Sequence, residues 1–188
     1  MTILGTVASS FRSAGGATYE LIGSTTITSN TTQVLFTGIP ATYTHLECRI
    51  SARSTRNNYI EDFYFMLNNT SNTYTSTSFT GRMIFTDGGQ TDPSYLVYTT
   101  PGFISGLTTT SNSYGSVRLY IFNYAENQNK TWNYEGHFTD YNNTSRVGMG
   151  IGGGLWSDTA AVTSINFINP NGNYVAPSTF SVYGIKTS

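Results

Sequence analysis

The sequence predicts an all-β domain: a two-sheet, jelly-roll-like β-sandwich of about ten antiparallel strands. Three observations carry this. Apolar and polar side chains alternate at period two, turn-forming residues recur between the alternating stretches, and no stretch has a convincing helical period.

The clearest alternation is His45-Leu46-Glu47-Cys48-Arg49-Ile50-Ser51-Ala52. Leu46, Cys48, Ile50 and Ala52 fall on one face of a pleated strand, where a helix would scatter them. Val117, Leu119 and Ile121 repeat the pattern in 117–121, and Trp132, Tyr134 and Phe138 share a face in 132–138. Short runs rich in Val, Ile, Thr, Tyr and Phe at 19–28, 33–37, 63–67, 82–86, 95–99, 147–151, 162–168 and 180–185 complete the strand set. Between them, Gly38-Ile39-Pro40, Asn68-Asn69, Asp87-Gly88-Gly89, Pro101-Gly102, Asn142-Asn143 and Asn169-Pro170-Asn171-Gly172 mark reversals. Long connections between several strands suit Greek-key crossings better than a meander, which selects the jelly roll.

A chain of 188 residues suits one domain. Residues 1–18 are small, polar and glycine-containing, and read as an extended N-terminal arm; residues 19–188 read as the single sandwich. Within it, 68–78 has Tyr74 as its one sizeable apolar side chain and reads as a surface loop.

Composition narrows function. Charged residues are 10% of the chain and net charge is -1, so the field of Lys and Arg that neutralises phosphates is missing and nucleic acid is not the expected partner. The densest basic group, Arg49, Arg53 and Arg56, is flanked by Glu47, Glu61 and Asp62, which describes a solvated or salt-bridged strand face rather than a phosphate site. Cys48, the only cysteine, cannot form an intramolecular disulfide and sits at an apolar phase, so it reads as a buried thiol. No stretch approaches the apolar length of a membrane span, and 1–16 lacks the pattern of a secretory signal. The expectation is therefore no membrane partner and synthesis in a cytoplasm.

No catalytic or cofactor-binding constellation emerges, and the expectation is a non-enzyme with no cofactor and no metal. His45 and His137 occupy polar phases of different strands, no Gly-x-Ser-x-Gly elbow is present, and Cys48 faces away from His45. Asp87 and Asp92 flank Gly88-Gly89 as a turn would require. Glu135 and Asp140 lie near each other in sequence, but on a strand face and in the turn after it, an unlike setting for paired glycosidase carboxylates. The run Gly148-Met149-Gly150-Ile151-Gly152-Gly153-Gly154 continues a strand and opens no helix, so it suits close packing or a bulge better than a phosphate loop.

The positive signal is tyrosine, with fourteen in the chain. Some complete the core, at least half on this reading. Others, at exposed phases such as Tyr64, Tyr120 and Tyr183, supply amphipathic contact surface. Tyr59, Tyr74, Tyr114 and Trp156 are the candidate interaction residues.

The stretches Tyr19-Glu20-Leu21-Ile22, Val34-Leu35-Phe36-Thr37-Gly38-Ile39-Pro40-Ala41-Thr42-Tyr43-Thr44-His45-Leu46, Ile50-Ser51-Ala52-Arg53, Gly154-Leu155-Trp156, Ala161-Val162-Thr163-Ser164-Ile165 and Phe180-Ser181-Val182-Tyr183-Gly184-Ile185-Lys186 resemble a β-sandwich family of tailed-bacteriophage virion surface proteins, cyanophage-like capsid decoration (cement) or fibre proteins. The resemblance runs from about residue 19 to 186 and offers no catalytic residues. It implies a subunit on the outer surface of the virion. Since a fibre ordinarily needs a stalk and only the arm precedes residue 19, capsid decoration is the expected role, with the major capsid protein as partner and self-association as a homotrimer. The alternative is a tail fibre or a receptor- or carbohydrate-binding module that takes a host surface glycan.

Overall fold

The computed structural model describes residues 18–68, 79–87, 90–92, 102–140 and 146–187, with side chains described over 18–68, 103–138 and 148–187. These residues form twelve strands: β1 (Thr18–Thr26), β2 (Gln33–Thr37), β3 (His45–Ala52), β4 (Ile60–Leu67), β5 (Phe79–Asp87), β6 (Gln90–Asp92), β7 (Gly102–Ser105), β8 (Gly115–Phe122), β9 (Lys130–Asp140), β10 (Arg146–Trp156), β11 (Ser164–Ile168) and β12 (Thr179–Lys186). No helix occurs among the described residues.

The strands form two sheets, an eight-stranded one ordered β1-β12-β3-β8-β9-β10-β5-β6 and a four-stranded one ordered β2-β11-β4-β7. If the hairpins β5–β6 and β9–β10 are set aside, the other eight strands, numbered one to eight along the chain, alternate between the sheets except that four and five share the small one. The large sheet holds 1-8-3-6 and the small one 2-7-4-5. This is the jelly-roll arrangement of two interlocked Greek keys. The hairpins prolong the large sheet beyond β8, with β5 laddering on β10 rather than on its chain neighbour β4.

The predicted inward phases hold. Leu46, Cys48, Ile50 and Ala52 of β3, Val117, Leu119 and Ile121 of β8, and Trp132 and Tyr134 of β9 are all buried in one core. Phe63, Phe65 and Leu67 of β4 and Ile165 and Phe167 of β11 meet them from the small sheet. Rings tie the sheets together: Phe167 stacks on Phe63 at 5.7 Å and on Phe180 of β12 at 5.8 Å, while Phe65 meets Trp132 edge-on at 5.5 Å.

The glycine run lies in β10, whose ladders to β5 and β9 continue without a register shift. A Cβ at Gly148 would overlap the Phe138 ring opposite it. Close packing is thus its use, and no bulge is present.

Several expectations are corrected at strand boundaries. β4 starts three residues before the predicted 63–67 segment, at Ile60, because the fully buried Glu61 carboxylate accepts from Ser54 Oγ, Arg56 and Asn171. β11 starts at Ser164, not 162, because Asn68 at φ 56° accepts the Thr163 N–H at 2.7 Å and donates to the Ala161 carbonyl at 2.9 Å, holding that stretch as a loop. Strands β6 and β7 were not predicted. The predicted strand 95–99, the arm (but for Thr18, which opens β1) and most of the loop 68–78 lie outside the described residues.

Two basic side chains pin the ends of the sandwich. At the end carrying residues 53–59 and 105–114, Arg53 donates to the carbonyls of Leu107, Thr109 and Thr110. At the opposite end, fully buried Lys130 donates to those of Glu126, Gln128, Asp158 and Thr159.

Candidate docking face

Side chains that alternate with the core phases form the outer face of the large sheet. Cross-strand register orders them into three rows: Leu21-Tyr183-Glu47-Tyr120-Asn133-Gly153, then Ser181-Arg49-Arg118-Glu135-Ile151, then Thr179-Ser51-Ser116-His137-Met149.

The middle of this face is charged and internally paired. Arg49 and Arg118 stand directly opposite each other across β3 and β8, a destabilising arrangement for like charges on its own. Glu47 neutralises it, with Oε1 2.6 Å from Arg49 Nε and 3.4 Å from Arg118 Nε. Arg118 Nη1 also pairs with Glu135 at 2.8 Å. Glu47 is only 1% exposed, because Tyr183 and Tyr120 flank it in its own row and the arginines lie over it. Arg49 in turn lies over the Tyr183 ring, 4.8 Å from its centroid, and 5.7 Å from that of Tyr19. Burial, and then the hydrogen bond to Glu47, raise the Tyr19 phenol above its ordinary pKa.

Either side of this network, large apolar groups stand in solvent: Tyr19 at 51% and Leu21 at 58% exposed on the β1 flank, Met149 at 59% and Ile151 at 57% on the β10 flank. A groove of about 470 Å³ runs between the second and third rows from Arg49 to Met149 and Ile151.

Ser116 Oγ and His137 Nδ1, 2.7 Å apart, form a pair that the sequence search did not make, since their proximity follows from the β8–β9 register. Acyl transfer also needs free N–H groups to hold an oxyanion. Here β8 is laddered on both sides, so its N–H groups are committed to β3 and β9. The arrangement fits a cross-strand hydrogen bond. His45 Nδ1 accepts the Asn123 N–H at 3.1 Å at the edge of the same face. Among the described residues no three His, Cys, Asp or Glu side chains are placed to share a metal ion.

The candidate interaction residues do not converge. Tyr59 is half-buried with its ring 6.0 Å from that of Phe138, and Tyr114, also half-buried, donates to the Ala176 carbonyl at 3.1 Å at the same end of the sandwich. Trp156 belongs to the core cluster at 2% exposure with the Lys130 ammonium over its ring, so the expected open stacking surface is absent there. Its strand continues the alternation of Met149 and Ile151, which face out, without a register shift, and this places Trp156 on the inner face. Tyr74 lies outside the described residues. Tyr64, Tyr120 and Tyr183 are half-buried rather than open; of the ten described tyrosines, Tyr124, Tyr134 and Tyr174 are buried and Tyr43 packs against the core. The basic group splits as well. Arg49 is on the outer face, Arg53 is buried at the loop end, and Arg56 pairs with Glu61.

Comparisons with protein-family models, with curated proteins and with solved structures return no match.

Proposed function

We propose that this protein is a non-enzymatic structural subunit on the outer surface of a bacteriophage virion, a capsid decoration protein that holds the major capsid protein through the outer face of its large sheet. The observation that carries the reading is the pair of apolar flanks, Tyr19 with Leu21 and Met149 with Ile151, around a charge network neutralised within the chain. Such a face loses little on leaving water, because its carboxylates already have partners. The family resemblance of the sequence supplies the viral setting.

Magnitudes bear on stoichiometry. Each flank side chain is already about half covered, so covering the rest contributes roughly 1 kcal/mol, or about 4 kcal/mol for the four. Association of a single copy costs about 4–15 kcal/mol in lost freedom. One copy therefore binds weakly, and a homotrimer at a local three-fold position gains by avidity what each face lacks. Binding only the assembled lattice then shifts it away from dissociation.

Co-sedimentation of the purified protein with capsids stripped of it tests the proposal. Saturable binding that Met149→Ser with Ile151→Ser weakens is expected; wild-type protein that stays in the supernatant at every concentration contradicts it.

A further inference from the structure

Asn171-Gly172 is the only Asn-Gly step in the chain. Such a step is chemically labile, because glycine has no side chain to hinder attack of its amide nitrogen on the carboxamide before it. The nitrogen is uncommitted here. Asn171 is exposed in the turn between β11 and Tyr174, and among the described residues the Gly172 N–H has no hydrogen-bond partner. Asn171 Nδ2, the atom that leaves as ammonia in such a reaction, donates to Glu61 Oε1 at 3.0 Å.

The surroundings of this turn make the reaction consequential. Glu61 is fully buried and is a hub of this end of the sandwich. Its carboxylate also accepts from Arg56 Nη1 at 3.1 Å and from Ser54 Oγ at 3.3 Å, and Ser54 Oγ in turn accepts from Asn169 Nδ2 at 2.9 Å. Arg56 already serves two carboxylates, Glu61 and, at 3.9 Å, Asp62. The nearby Arg53 turns instead to the carbonyls of Leu107, Thr109 and Thr110. A third carboxylate at position 171 therefore has no cation of its own. The main chain is tight as well. A Cβ on Gly172 would lie 3.0 Å from both Ser54 Oγ and Thr55 Oγ1. Asn173 is tied to Thr55 in both directions, its carbonyl accepting the Thr55 N–H at 2.9 Å and its N–H donating to Thr55 Oγ1 at 2.9 Å.

We infer that Asn171 is a self-modifying site: it converts to a carboxylate through a cyclic imide with Gly172 and loosens this end of the sandwich as it does so. The steps balance with water as the only co-reactant. The Gly172 nitrogen bonds to Asn171 Cγ as the Cγ–Nδ2 bond breaks, and Nδ2 departs as ammonia with the Gly172 amide proton. Water then opens the imide at either carbonyl. Opening at Cγ leaves an aspartyl residue; opening at the backbone carbonyl leaves an isoaspartyl one, whose main chain is one carbon longer. Either product replaces a donor to Glu61 by a carboxylate. Because position 171 is exposed, the aspartyl carboxylate can turn to water, so the loss is that of one hydrogen bond to a buried charge. The isoaspartyl product also lengthens the chain where it packs against Ser54 and Thr55, and loosens the turn further.

The inference is independent of the docking reading, since this turn lies at an end of the sandwich and not on the outer face. The full chain is incubated for several days at mildly alkaline pH, then digested for peptide mass spectrometry and melted by calorimetry. Expected are amide-to-acid conversion at Asn171 ahead of every other asparagine, with the isoaspartyl form in excess, and a lower-melting component that grows with conversion. Asn171→Gln keeps an amide but closes an imide ring far more slowly, so it should neither convert nor change in melting. Freshly made Asn171→Asp, which carries only the aspartyl product, should melt about 2–4 °C below Asn171→Gln. Another asparagine converting first, or conversion at Asn171 with no change in melting, overturns the inference. So does a chain that stays unmodified while a capped Asn-Pro-Asn-Gly-Asn peptide converts completely.

Discussion

Replacing Lys130 by Met removes an ammonium and little else, since the stem and its packing volume remain. In the wild type that ammonium lies 2.7 Å from the Glu126 carbonyl, 2.5 Å from Gln128, 3.0 Å from Thr159 and 3.4 Å from Asp158, and so joins residues 123–129 to residues 157–163. Three of these distances are those of charge-assisted hydrogen bonds, and each carbonyl left without a donor costs about 1 kcal/mol where the loop can turn to water, more where it cannot. The neighbours 126–129 are exposed, which selects the lower figure and gives about 3 kcal/mol. Relief of the buried charge works the other way. The expected net loss is about 2 kcal/mol, or roughly 4–8 °C in Tm for a chain of this size. Urea unfolding followed by tyrosine and tryptophan fluorescence measures it. Lys130→Arg should also destabilise, because a planar fork cannot reach carbonyls arranged around a point. A Met variant as stable as the wild type would refute the reasoning, showing that ammonium desolvation outweighs the carbonyl cage.

Other expectations follow from the same geometry. Gly148→Val should cost about 2–3 kcal/mol by driving its side chain into the Phe138 ring, read as a fall in Tm. Glu47→Gln leaves Arg49 without a counter-ion opposite Arg118, which keeps Glu135; since both arginines are about half exposed the loss should be about 1 kcal/mol, and added salt should recover part of it, as paired denaturation curves at low and high salt would show. Burial raises the Asp62 carboxyl pKa above its ordinary value, with Glu61 adding to the shift and Arg56 opposing it. The folded state then holds the proton more tightly than the unfolded one, so this group's contribution is full below the unfolded pKa and falls as pH rises through the folded one. Asp62→Asn should therefore gain stability over the wild type at pH 7, with the gain shrinking as pH falls to about 4. Burial also pushes the Cys48 thiol up. It should resist a thiol-specific reagent in the folded protein and react fully in urea, with labelling at the native rate of a free thiol counting against its burial.

The fold was legible where one face of a strand is apolar and the other polar. In β3 and β8 the alternation named the inward-facing apolar residues, because a one-residue slip would expose the whole set. Legibility failed where a polar group is buried for the sake of a loop. Glu61 and Lys130 look like surface residues in the sequence, and part of what holds each is distant in the chain: Asn171 for Glu61, and the Asp158 and Thr159 carbonyls for Lys130. The short β7 escaped notice because its pairing with β4, not its own four residues, makes it a strand. The docking face was half legible. The exposed phases of Tyr120 and Tyr183 and the salt-bridged setting of Arg49 were readable, but the opposition of Arg49 to Arg118, the burial of Glu47 between two tyrosines and the Ser116–His137 pair depend on register, which only the assembled sheet supplies.

The proposed docking role is tested most directly by a cryo-microscopy map of intact particles in which this chain can be traced. Copies on the shell, with the outer face bearing Tyr19, Leu21, Met149 and Ile151 against the major capsid protein, are the predicted result. Density at the tail tip with none on the shell, or copies on the shell with that face turned to solvent, would contradict it.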